Sequence, residues 1–413
     1  MSPAAERVDV ALVGGGGAAH CLLHALATAG VGLSVAVLDP VQHTGNDRTW
    51  CFWDGGASPI EAAVRRRWSA LRVVGPGGDE HELAPVSYAM VRSADFYRHV
   101  RQLCAPNGPA APSSSGAGTS PVSELATDAT GPARSARGLA VRWVPAAVRA
   151  ISPADDVVRL DTDAGAVSAR WVFDSRPRPP DRPGTTTLRQ HFRGRWLTGA
   201  RLDPSAATLM DFTAPQPESG LAFGYLLPVD ERHALVEYTV FSRSRLPTGA
   251  YDAALDRLCD RLGVATATVE STEDGVIPMT DGRFARRIGA RVFRLGTAGG
   301  ATRPATGYTF ATMLRQAAGI AARLAAGADP LPAAPYPARH LRYDAIVLRA
   351  LDLGLVDGPR LLTDLLTRHP PGRILGFLDG TSTRRDEARI LAGTPIPAMV
   401  RATAGWLAAA ARR

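Results

Sequence analysis

The spacing of apolar residues along the chain predicts a mixed α/β protein. Near the start, a short apolar run, an amphipathic stretch and a second apolar run predict strand, helix and strand over Val8–Val13, Ala18–Ala29 and Leu33–Leu38. Further strands are predicted after residue 138, over Ala140–Val148, Val157–Thr162 and Ala169–Phe173. Strands that alternate with a helix in this way are typical of a parallel sheet.

The middle of the chain is rich in predicted strands, and one of them carries an isolated acid. Leu221–Leu227 and Ala234–Phe241 are separated by a short polar turn that predicts a hairpin. Alternation places four residues on one face of the second strand: Leu235, Glu237, Thr239 and Phe241. Glu237 is therefore either solvated at the edge of a sheet or desolvated in a pocket, and these two positions imply different roles.

Helices are predicted from about residue 309 onward, and one segment divides the first half of the chain. The first of these helices has an apolar face at helical spacing, formed by Phe310, Met313, Leu314, Ala317, Ile320, Ala321 and Leu324. Residues 105–138 consist mostly of Ala, Pro, Gly, Ser and Thr. Such a segment buries too little apolar surface to order itself, so we interpret it as a flexible insertion.

Composition excludes several classes of protein. The 413 residues contain no lysine, so all 47 basic residues are arginine, which removes Schiff-base chemistry and the P-loop. The net charge of +8 comes with no nucleic-acid-binding motif, and the arginine-only composition resembles a coding bias, so we expect no nucleic-acid partner. A residual use for the charge is attraction to an anionic membrane surface. Four scattered cysteines, no secretory signal and no spanning segment predict a cytoplasmic protein.

The first glycine run has the features of a dinucleotide-binding turn. A strand leads into Gly14, Gly16 and Ala19 in the pattern G-x-G-x-x-G/A, a helix follows, and a second strand ends at Asp39. The glycines allow close approach of a pyrophosphate to the helix N-terminus, and the acid accepts from a ribose hydroxyl. The N-terminal position fits FAD, with NAD as the other candidate. The alternative is a glycine-rich turn in an unrelated α/β fold.

A second glycine run follows a short strand later in the chain. Gly296, Gly299 and Gly300 precede the apolar-faced helix, whose free N–H groups suit the carbonyl end of a flavin ring. Two such turns in one chain fit a cofactor that lies extended across a domain. The alternative is a simple turn that caps a helix.

Three further groups of residues leave two interpretations each. The segment Thr49–Trp53 holds three aromatic residues, which either pack in the core or line a site. Arg92 lies either near a cofactor phosphate or on the surface. His20 and His24 are four residues apart on the first helix, but no glutamate completes a metal-binding motif, so we predict packed or solvated histidines and no metal site.

Several motifs together resemble the lycopene β-cyclase family of FAD-dependent carotenoid cyclases. The motifs are RTWCFW (Arg48–Trp53), TLMDF (Thr208–Phe212), LVEYTVFS (Leu235–Ser242), GVIPMTD (Gly275–Asp281), GTAGGATRPATGYTF (Gly296–Phe310), and RILGFLDGTS and ILAGTPIPAMVRA near the C-terminus. The similarity extends over nearly the whole chain except 105–138. The often aromatic position of the family's acid motif is Leu235 here, and the often acidic position after the glutamate is Tyr238, so the resemblance implies one acid.

The resemblance implies a glutathione-reductase-like, Rossmann-type FAD-binding domain with an antiparallel β-sheet substrate domain and a helical C-terminal region. We expect the FAD-binding domain to comprise residues 1–187 and 275–330. We expect the substrate sheet to comprise residues 188–274, and the helical region residues 331–413.

The implied activity is cyclisation of the acyclic ψ end groups of lycopene to β-ionone rings, giving γ- or β-carotene, with reduced FAD and no net redox change. Glu237 is then the acid that protonates a terminal double bond, since shielding from water raises a carboxyl pKa. Candidate substrate contacts are Trp50, Trp53, Tyr225, Thr239, Phe241 and Tyr308. Cofactor contacts are the two glycine runs, Asp39 and Arg92, with NAD(P)H as a possible reductant.

Two other functions compete with this one. A polyprenyl reductase or hydroxylase on the same scaffold would consume NAD(P)H or oxygen with every turnover, whereas a carotenoid or flavin carrier would return its pigment unchanged. Lycopene is insoluble in water, so we expect peripheral association with a membrane through amphipathic segments of residues 340–413, including Trp406. The alternative is that these segments only close the helical end of the fold.

Overall fold

The computed structural model describes residues 6–55, 58–105, 138–154 and 156–411. The insertion predicted over 105–138 lies almost entirely outside these ranges. The strands are β1 (Glu6–Val13), β2 (Ser34–Leu38), β3 (Thr49–Trp53), β4 (Arg66–Trp68), β5 (Ala70–Val74), β6 (Glu80–Leu83), β7 (Tyr88–Arg92), β8 (Ala140–Val144), β9 (Val148–Ala154), β10 (Val157–Thr162), β11 (Gly165–Asp174), β12 (Thr187–Thr198), β13 (Ala206–Asp211), β14 (Leu221–Pro228), β15 (His233–Ser242), β16 (Thr268–Thr280), β17 (Arg287–Gly289) and β18 (Val292–Arg294). The helices are α1 (Gly17–Thr28), α2 (Ser93–Leu103), α3 (Thr248–Arg261), α4 (Phe310–Ala325), α5 (Ala338–Asp352), α6 (Gly358–Thr367), α7 (Pro371–Asp379), α8 (Arg384–Ala392) and α9 (Ile396–Ala411).

An eight-stranded sheet contains the first glycine turn. Its main path has the order β17-β18-β11-β1-β2-β8, and β1 pairs in parallel with both β2 and β11. The predicted strand–helix–strand start is confirmed. The single strand predicted over Ala140–Val148 is wrong: β8 pairs with β2, whereas β9 pairs with β10. Pro145 lies between them and has no N–H to extend either ladder.

A seven-stranded sheet forms the second layer, with the order β16-β12-β15-β14-β13-β5-β6. Its pairs are antiparallel except β13 with β5, and the predicted hairpin is confirmed as β14 and β15. Strand β15 lies between β12 and β14, so it is an interior strand. This sheet also contains β5 and β6, which precede the expected substrate segment 188–274, and β16 continues past that segment to Thr280.

Helices α1 and α4 pack together and cover the parallel sheet. The shared core contains Leu22 and Leu26 from α1 and Phe310 and Ile320 from α4, all at most 3% exposed. The apolar face predicted for α4 is confirmed, with Leu314 and Leu324 only partly buried at its margin. The packing fixes the N-termini of both helices near the two glycine turns. A third sheet, β3-β7-β4, has three strands.

The C-terminal helices lie against the seven-stranded sheet. Helix α5 packs on β12 and β16, and α6 packs on β5, β6 and β14. The buried ion pair between Arg303 and Asp344 joins the loop after the second glycine turn to α5. Across the described ranges, no helix combines the length and the apolar character that a membrane span requires.

Candidate active site

A cavity of about 750 Å³ lies between the parallel sheet and the seven-stranded sheet. Both glycine turns open onto it, as does the face of β15 that carries Glu237. Ten of the predicted site residues line it: Gly14, Gly16, Asp39, Trp50, Tyr225, Glu237, Thr239, Phe241, Gly296 and Tyr308. Residues far apart in the sequence therefore meet at one cavity.

The first turn has the geometry of a phosphate-binding loop. Gly14 has a φ of +94°, and a Cβ there would lie 2.5 Å from Ser175 Oγ, so only glycine fits. A Cβ at Gly16 would meet nothing within 4 Å, which leaves open space above the turn. No side chain caps the start of α1, so its N–H groups remain available for an anion.

Asp39 is fixed at the end of β2 by backbone and side-chain donors. Its Oδ2 accepts from the N–H of Gly15 at 2.6 Å, and its Oδ1 accepts from Val41 at 2.8 Å. His43 lies 3.4 Å from Asp39 and 3.1 Å from Asp47. Burial works against ionisation of Asp39, but these bonds outweigh it and hold its pKa below the usual value. The two carboxylates raise the pKa of His43 to about 9.

His43 was missed by the sequence analysis, because it lies in an irregular polar loop where no periodicity marks it. Its cation balances the two acids at this end of the cavity. The site therefore has a positive group beside the acid predicted to hold the ribose.

The second turn is a short 3₁₀ segment whose glycines have distinct roles. Gly296 lines the cavity with a φ of +59°, and Gly300 ends the segment with a φ of +79°. A Cβ at Gly299 would lie 2.6 Å from the carbonyl oxygen of Arg294. Gly299 and Gly300 do not line the cavity, so they shape the turn that Gly296 presents.

Two buried polar atoms near this turn have no hydrogen-bond partner among the described residues. They are Gln190 Oε1 and Thr306 Oγ1, and both side chains line the cavity. A buried polar atom without a partner is costly. A cofactor with polar ring edges would satisfy both atoms, so the residues at this end of the cavity fit a flavin.

Three other predicted site residues lie behind the cavity wall. Ala19 is buried inside α1, and Trp53 packs edge-on against Tyr308 at 4.8 Å. The guanidinium of Arg92 lies over the ring of Trp196 at 4.7 Å. This position of Arg92 differs from both places considered in the sequence, since it neither lines the cavity nor extends freely into solvent.

Glu237 is desolvated within the sheet rather than exposed at an edge. It is 7% exposed on an interior strand, and the hydroxyl of Thr239 donates to its Oε1. The opposite face of β15, with Val236, Tyr238 and Val240, packs on α3. Burial, followed by the charge of Glu273, raises the pKa of Glu237 to about 8, and the bond from Thr239 opposes this shift only in part.

A second buried carboxyl group lies beside Glu237, contrary to the single acid implied by the sequence resemblance. Tyr238 does occupy the next position, but it points to the other face, where its hydroxyl donates to Pro215 O at 2.5 Å. The second acid is Glu273 on β16, which is 6% exposed. Only the pairing of strands brings it near, so no spacing in the sequence could have revealed it.

Aromatic side chains form much of the remaining wall. Trp50 stacks on Phe310 at 4.6 Å, and Phe223 meets Phe241 edge-on at 5.5 Å. The hydroxyls of Tyr88 and Tyr225 lie 2.6 Å apart, and both residues border the cavity. The cavity therefore presents ring faces and apolar surface to an occupant, with Glu237 as the buried acid.

His20 and His24 are packed residues of α1. Burial lowers the pKa of each to about 4, and the His20 ring lies 4.2 Å from that of Tyr97. No set of three or more His, Cys, Asp or Glu side chains in the described part of the chain is arranged to hold a metal ion.

Comparisons with known proteins agree with this architecture. The profile of the family described as "Lycopene cyclase protein" matches residues 9–121 and 134–404. A search of curated proteins gave no match.

Among solved structures, a geranylgeranyl bacteriochlorophyll reductase-like protein from Thermoplasma acidophilum has a TM-score of 0.56 at 12% identity, over 97% of this chain and 99% of that one. The p-nitrophenol 4-monooxygenase PnpA from Pseudomonas putida has a TM-score of 0.53 at 14% identity, over 98% of each chain. A mutant of the halogenase PltM, in complex with FAD, has a TM-score of 0.52 at 14% identity, over 93% of this chain and 90% of that one. These likenesses confirm the predicted Rossmann-type FAD-binding fold, together with its antiparallel sheet and helical C-terminal region.

Proposed function

The chain belongs to the lycopene cyclase family, and from this premise we propose that it converts the acyclic ψ end groups of lycopene to β-ionone rings, with FAD bound. The products are γ-carotene after one ring and β-carotene after two. The observation that carries the proposal is Glu237, a buried carboxyl group that faces an aromatic cavity with its pKa raised to about 8. At neutral pH it is protonated, as a proton donor to a hydrocarbon must be.

The reaction is an isomerisation, because the carotene gains one proton and loses one proton for each ring. Glu237 donates its proton to the terminal double bond of the ψ end group, which leaves a carbocation. The π electrons of the next double bond attack this centre, the ring carbon–carbon bond forms, and the positive charge moves into the ring. A ring proton then leaves to the Glu237 carboxylate, so the acid is regenerated and no net electron transfer occurs.

The cavity must exclude water, because water would capture the cation as an alcohol. Apolar and aromatic side chains surround the acid, and the faces of Tyr225, Phe241 and Trp50 are suited to stabilise positive charge. Thr239 orients the Glu237 carboxyl group through its hydroxyl.

The residues that would hold FAD are those of the two turns. Gly14, Gly16 and Asp39 would receive the pyrophosphate and ribose, and Gly296, with Gln190 and Thr306, would meet the flavin ring. When bound and reduced, the flavin supplies an electron-rich surface next to the developing cation. Tyr308 lies beside this turn and would contact either the flavin or the carotene.

The test is to express the protein in lycopene-accumulating cells and to separate the pigments by chromatography. Wild-type protein should form ringed carotenes. Glu237→Gln should reduce ring formation by about 100-fold or more, because the acid is lost, while the purified variant still binds FAD. Glu270→Gln is the matched control, since this glutamate is exposed on β16. Near-normal ring formation by Glu237→Gln would remove Glu237 from the mechanism.

The proposed reaction needs NAD(P)H only to reduce the flavin at the start. A polyprenyl reductase or hydroxylase would instead oxidise about one equivalent for every product molecule. The ratio of nicotinamide oxidised to rings formed, measured over many turnovers, therefore distinguishes the two classes. We expect a ratio far below one.

We also propose that the protein is cytoplasmic and associates peripherally with a membrane, from which it takes its carotene substrate. Three exposed apolar residues of α9 follow one another at spacings of four and seven positions, which place them on one face of the helix: Ile396 is 50% exposed, Val400 60% and Leu407 55%. Arg401 is exposed on the same helix. Trp406 faces inward, where its indole N–H donates to Asp281 at 2.7 Å. The helix thus closes the fold on one side and offers an apolar stripe on the other.

A further inference from the structure

Glu237 and Glu273 face each other across a residue without a side chain. The register pairs Gly194 of β12 with Glu237 of β15 on one side and with Glu273 of β16 on the other. A Cβ at Gly194 would lie 3.5 Å from both Glu237 Cβ and Glu273 Cγ. All three residues therefore share one face of the sheet, and Gly194 itself places no side chain between the two acids. Leu235 Cδ1 also lies 2.9 Å from that Cβ position.

The two carboxyl groups have unequal hydrogen bonding. Glu273 Oε2 accepts from the Thr49 hydroxyl at 2.8 Å, the Trp196 indole N–H at 3.1 Å and the Asn46 amide at 3.4 Å. An indole N–H can only donate, so the oxygen that it meets is an acceptor. Within the described structure, Glu237 accepts one bond, from Thr239. The hydrogen bonds therefore stabilise a negative charge on Glu273 more than one on Glu237.

Other charged and titratable groups reinforce this difference. Arg48 and Arg92 are the cations whose charge acts on Glu273. Around Glu237 the neighbouring elements contribute weak acids that stay neutral near pH 7, because burial raises the pKa of each: Cys51, Tyr88, Tyr225 and Tyr308. Burial also raises the pKa of Glu273 itself, against its donors. Two adjacent carboxylates in a poorly solvated site cannot both ionise readily.

We propose that Glu273 is the positioning residue of this acid pair: it carries the pair's single negative charge, and the proton is thereby kept on Glu237. The inference rests on the proposed function, in which Glu237 is the proton donor. It also explains the second half of the reaction. Once Glu237 has given up its proton, it lies beside another carboxylate and becomes a stronger base, which favours recovery of the ring proton.

The pair can be tested without turnover by infrared titration of the protonated carboxyl bands in the flavin-loaded protein, with no carotene present. The wild type should show two coupled titrations, assigned by their loss in Glu237→Gln and Glu273→Gln. In Glu273→Gln the remaining titration, that of Glu237, should move to lower pH by about one unit, because the neighbouring charge is gone. Glu270→Gln should change neither. An unshifted Glu237 titration in Glu273→Gln would overturn the proposal.

A second variant locates the charge. Trp196→Phe keeps an aromatic ring beside Glu273 but removes the indole donor. The Glu273 titration should then move to higher pH, since its carboxylate has lost a hydrogen bond. If the lower titration stays in place, the charge does not reside on Glu273 and the assignment is wrong.

Activity gives an independent readout. Ring formation falls at alkaline pH as Glu237 loses its proton. In Glu273→Gln this fall should move to lower pH by the same shift as the infrared titration of Glu237. If the alkaline fall in ring formation stays at the wild-type pH while the Glu237 titration shifts, Glu273 does not control the proton donor. Failure of the protein to form rings at all would reject the proposed function while leaving the infrared result on the pair intact.

Discussion

At the scale of single residues, the burial of Glu237 meets a requirement of the proposed chemistry and lowers the stability of the fold. A carboxyl group with a pKa raised to about 8 keeps its proton more tightly in the folded protein than in the unfolded chain, whose value is near 4.5. Between these two pH values the native state binds more protons, so the free energy of unfolding falls as pH rises. The buried Glu237 therefore stays protonated at neutral pH, and the free energy of unfolding is lower at alkaline pH as a result.

Glu237→Gln should therefore be more stable than the wild type at alkaline pH. The difference in unfolding free energy between variant and wild type should grow from pH 4.5 to pH 8 by roughly 3–5 kcal/mol and then level off. Urea unfolding at a series of pH values measures it, and groups that titrate in both proteins cancel. A difference that does not vary with pH would mean that Glu237 is solvated.

The pH dependence of ring formation has the same origin. Ring formation should be constant at pH values well below 8 and fall tenfold per unit above it, as the donor loses its proton. Measuring the rate at saturating carotene from pH 6 to pH 9.5 tests this decline. A rate that rises through pH 8 would indicate that an ionised group, and not the protonated acid, drives the reaction.

At the scale of elements, the first glycine turn exposes backbone at Gly16 that no side chain covers. Gly16 has φ −80° and ψ −161°, which other residues adopt easily, and the space beside its Cα is open. The fold itself does not require glycine there. The proposed approach of a pyrophosphate to the backbone would require it.

Gly16→Ala should leave the fold intact and weaken FAD binding by about tenfold or more, because the methyl group occupies the space above the turn. Flavin fluorescence titration measures the affinity, and circular dichroism checks the fold. Gly319→Ala, at an exposed helical position with open space, is the control: it should raise stability by about 0.5–1 kcal/mol and leave FAD binding unchanged. Unaltered affinity in Gly16→Ala would place the pyrophosphate elsewhere.

The sequence could predict those features whose residues lie close together along the chain. Strand, turn and helix around Gly14 are encoded within thirty or so residues, as is the alternation that marks Glu237. Other features depend on strand pairing and loop packing, which produce no periodic pattern in the sequence. They are the closeness of Glu273 to Glu237, the unpaired Gln190 Oε1 and the contacts of His43 with two carboxylates. Arg92 shows the same limit, since its position over the ring of Trp196 brings together residues that are far apart in the sequence.

At the scale of the whole molecule, buried charged residues join the C-terminal helices to the loop that follows the second glycine turn. Arg303 is 1% exposed, lies within 3.1 Å of Asp344 on α5, and donates to the carbonyl of Phe377. The backbone of Arg303 also closes the loop that ends at Tyr308, through the bond from its N–H to Tyr308 O at 2.8 Å. The C-terminal helices and the loop after the second glycine turn thus form one unit.

Asp344→Ala should destabilise the protein by about 3–5 kcal/mol, because it leaves a buried guanidinium without its anion. Asp161→Ala removes the partner of Arg159 in an exposed pair and should cost less than about 1 kcal/mol. Urea unfolding compares the two. Equal small losses would show that water reaches Arg303 in the folded protein.

Membrane association is also a property of the whole surface. The double variant Val400→Gln, Leu407→Gln should reduce flotation with anionic phosphatidylglycerol vesicles by about tenfold or more, because two exposed apolar side chains are lost. Val269→Gln changes an exposed apolar residue on β16, 46% exposed, and should float like the wild type. If the double variant also floats like the wild type, α9 is not the contact.

The central claim, that a protonated carboxyl group starts a ring closure without net redox change, is tested most directly by a single turnover in deuterated water. The account predicts one deuterium in each ring formed by the wild type. Once the flavin has been reduced beforehand, no further nicotinamide is oxidised as the ring forms, and Glu237→Gln forms rings at least about 100-fold more slowly. Rings without deuterium, or a product that has gained a hydride with stoichiometric nicotinamide consumption, would contradict it.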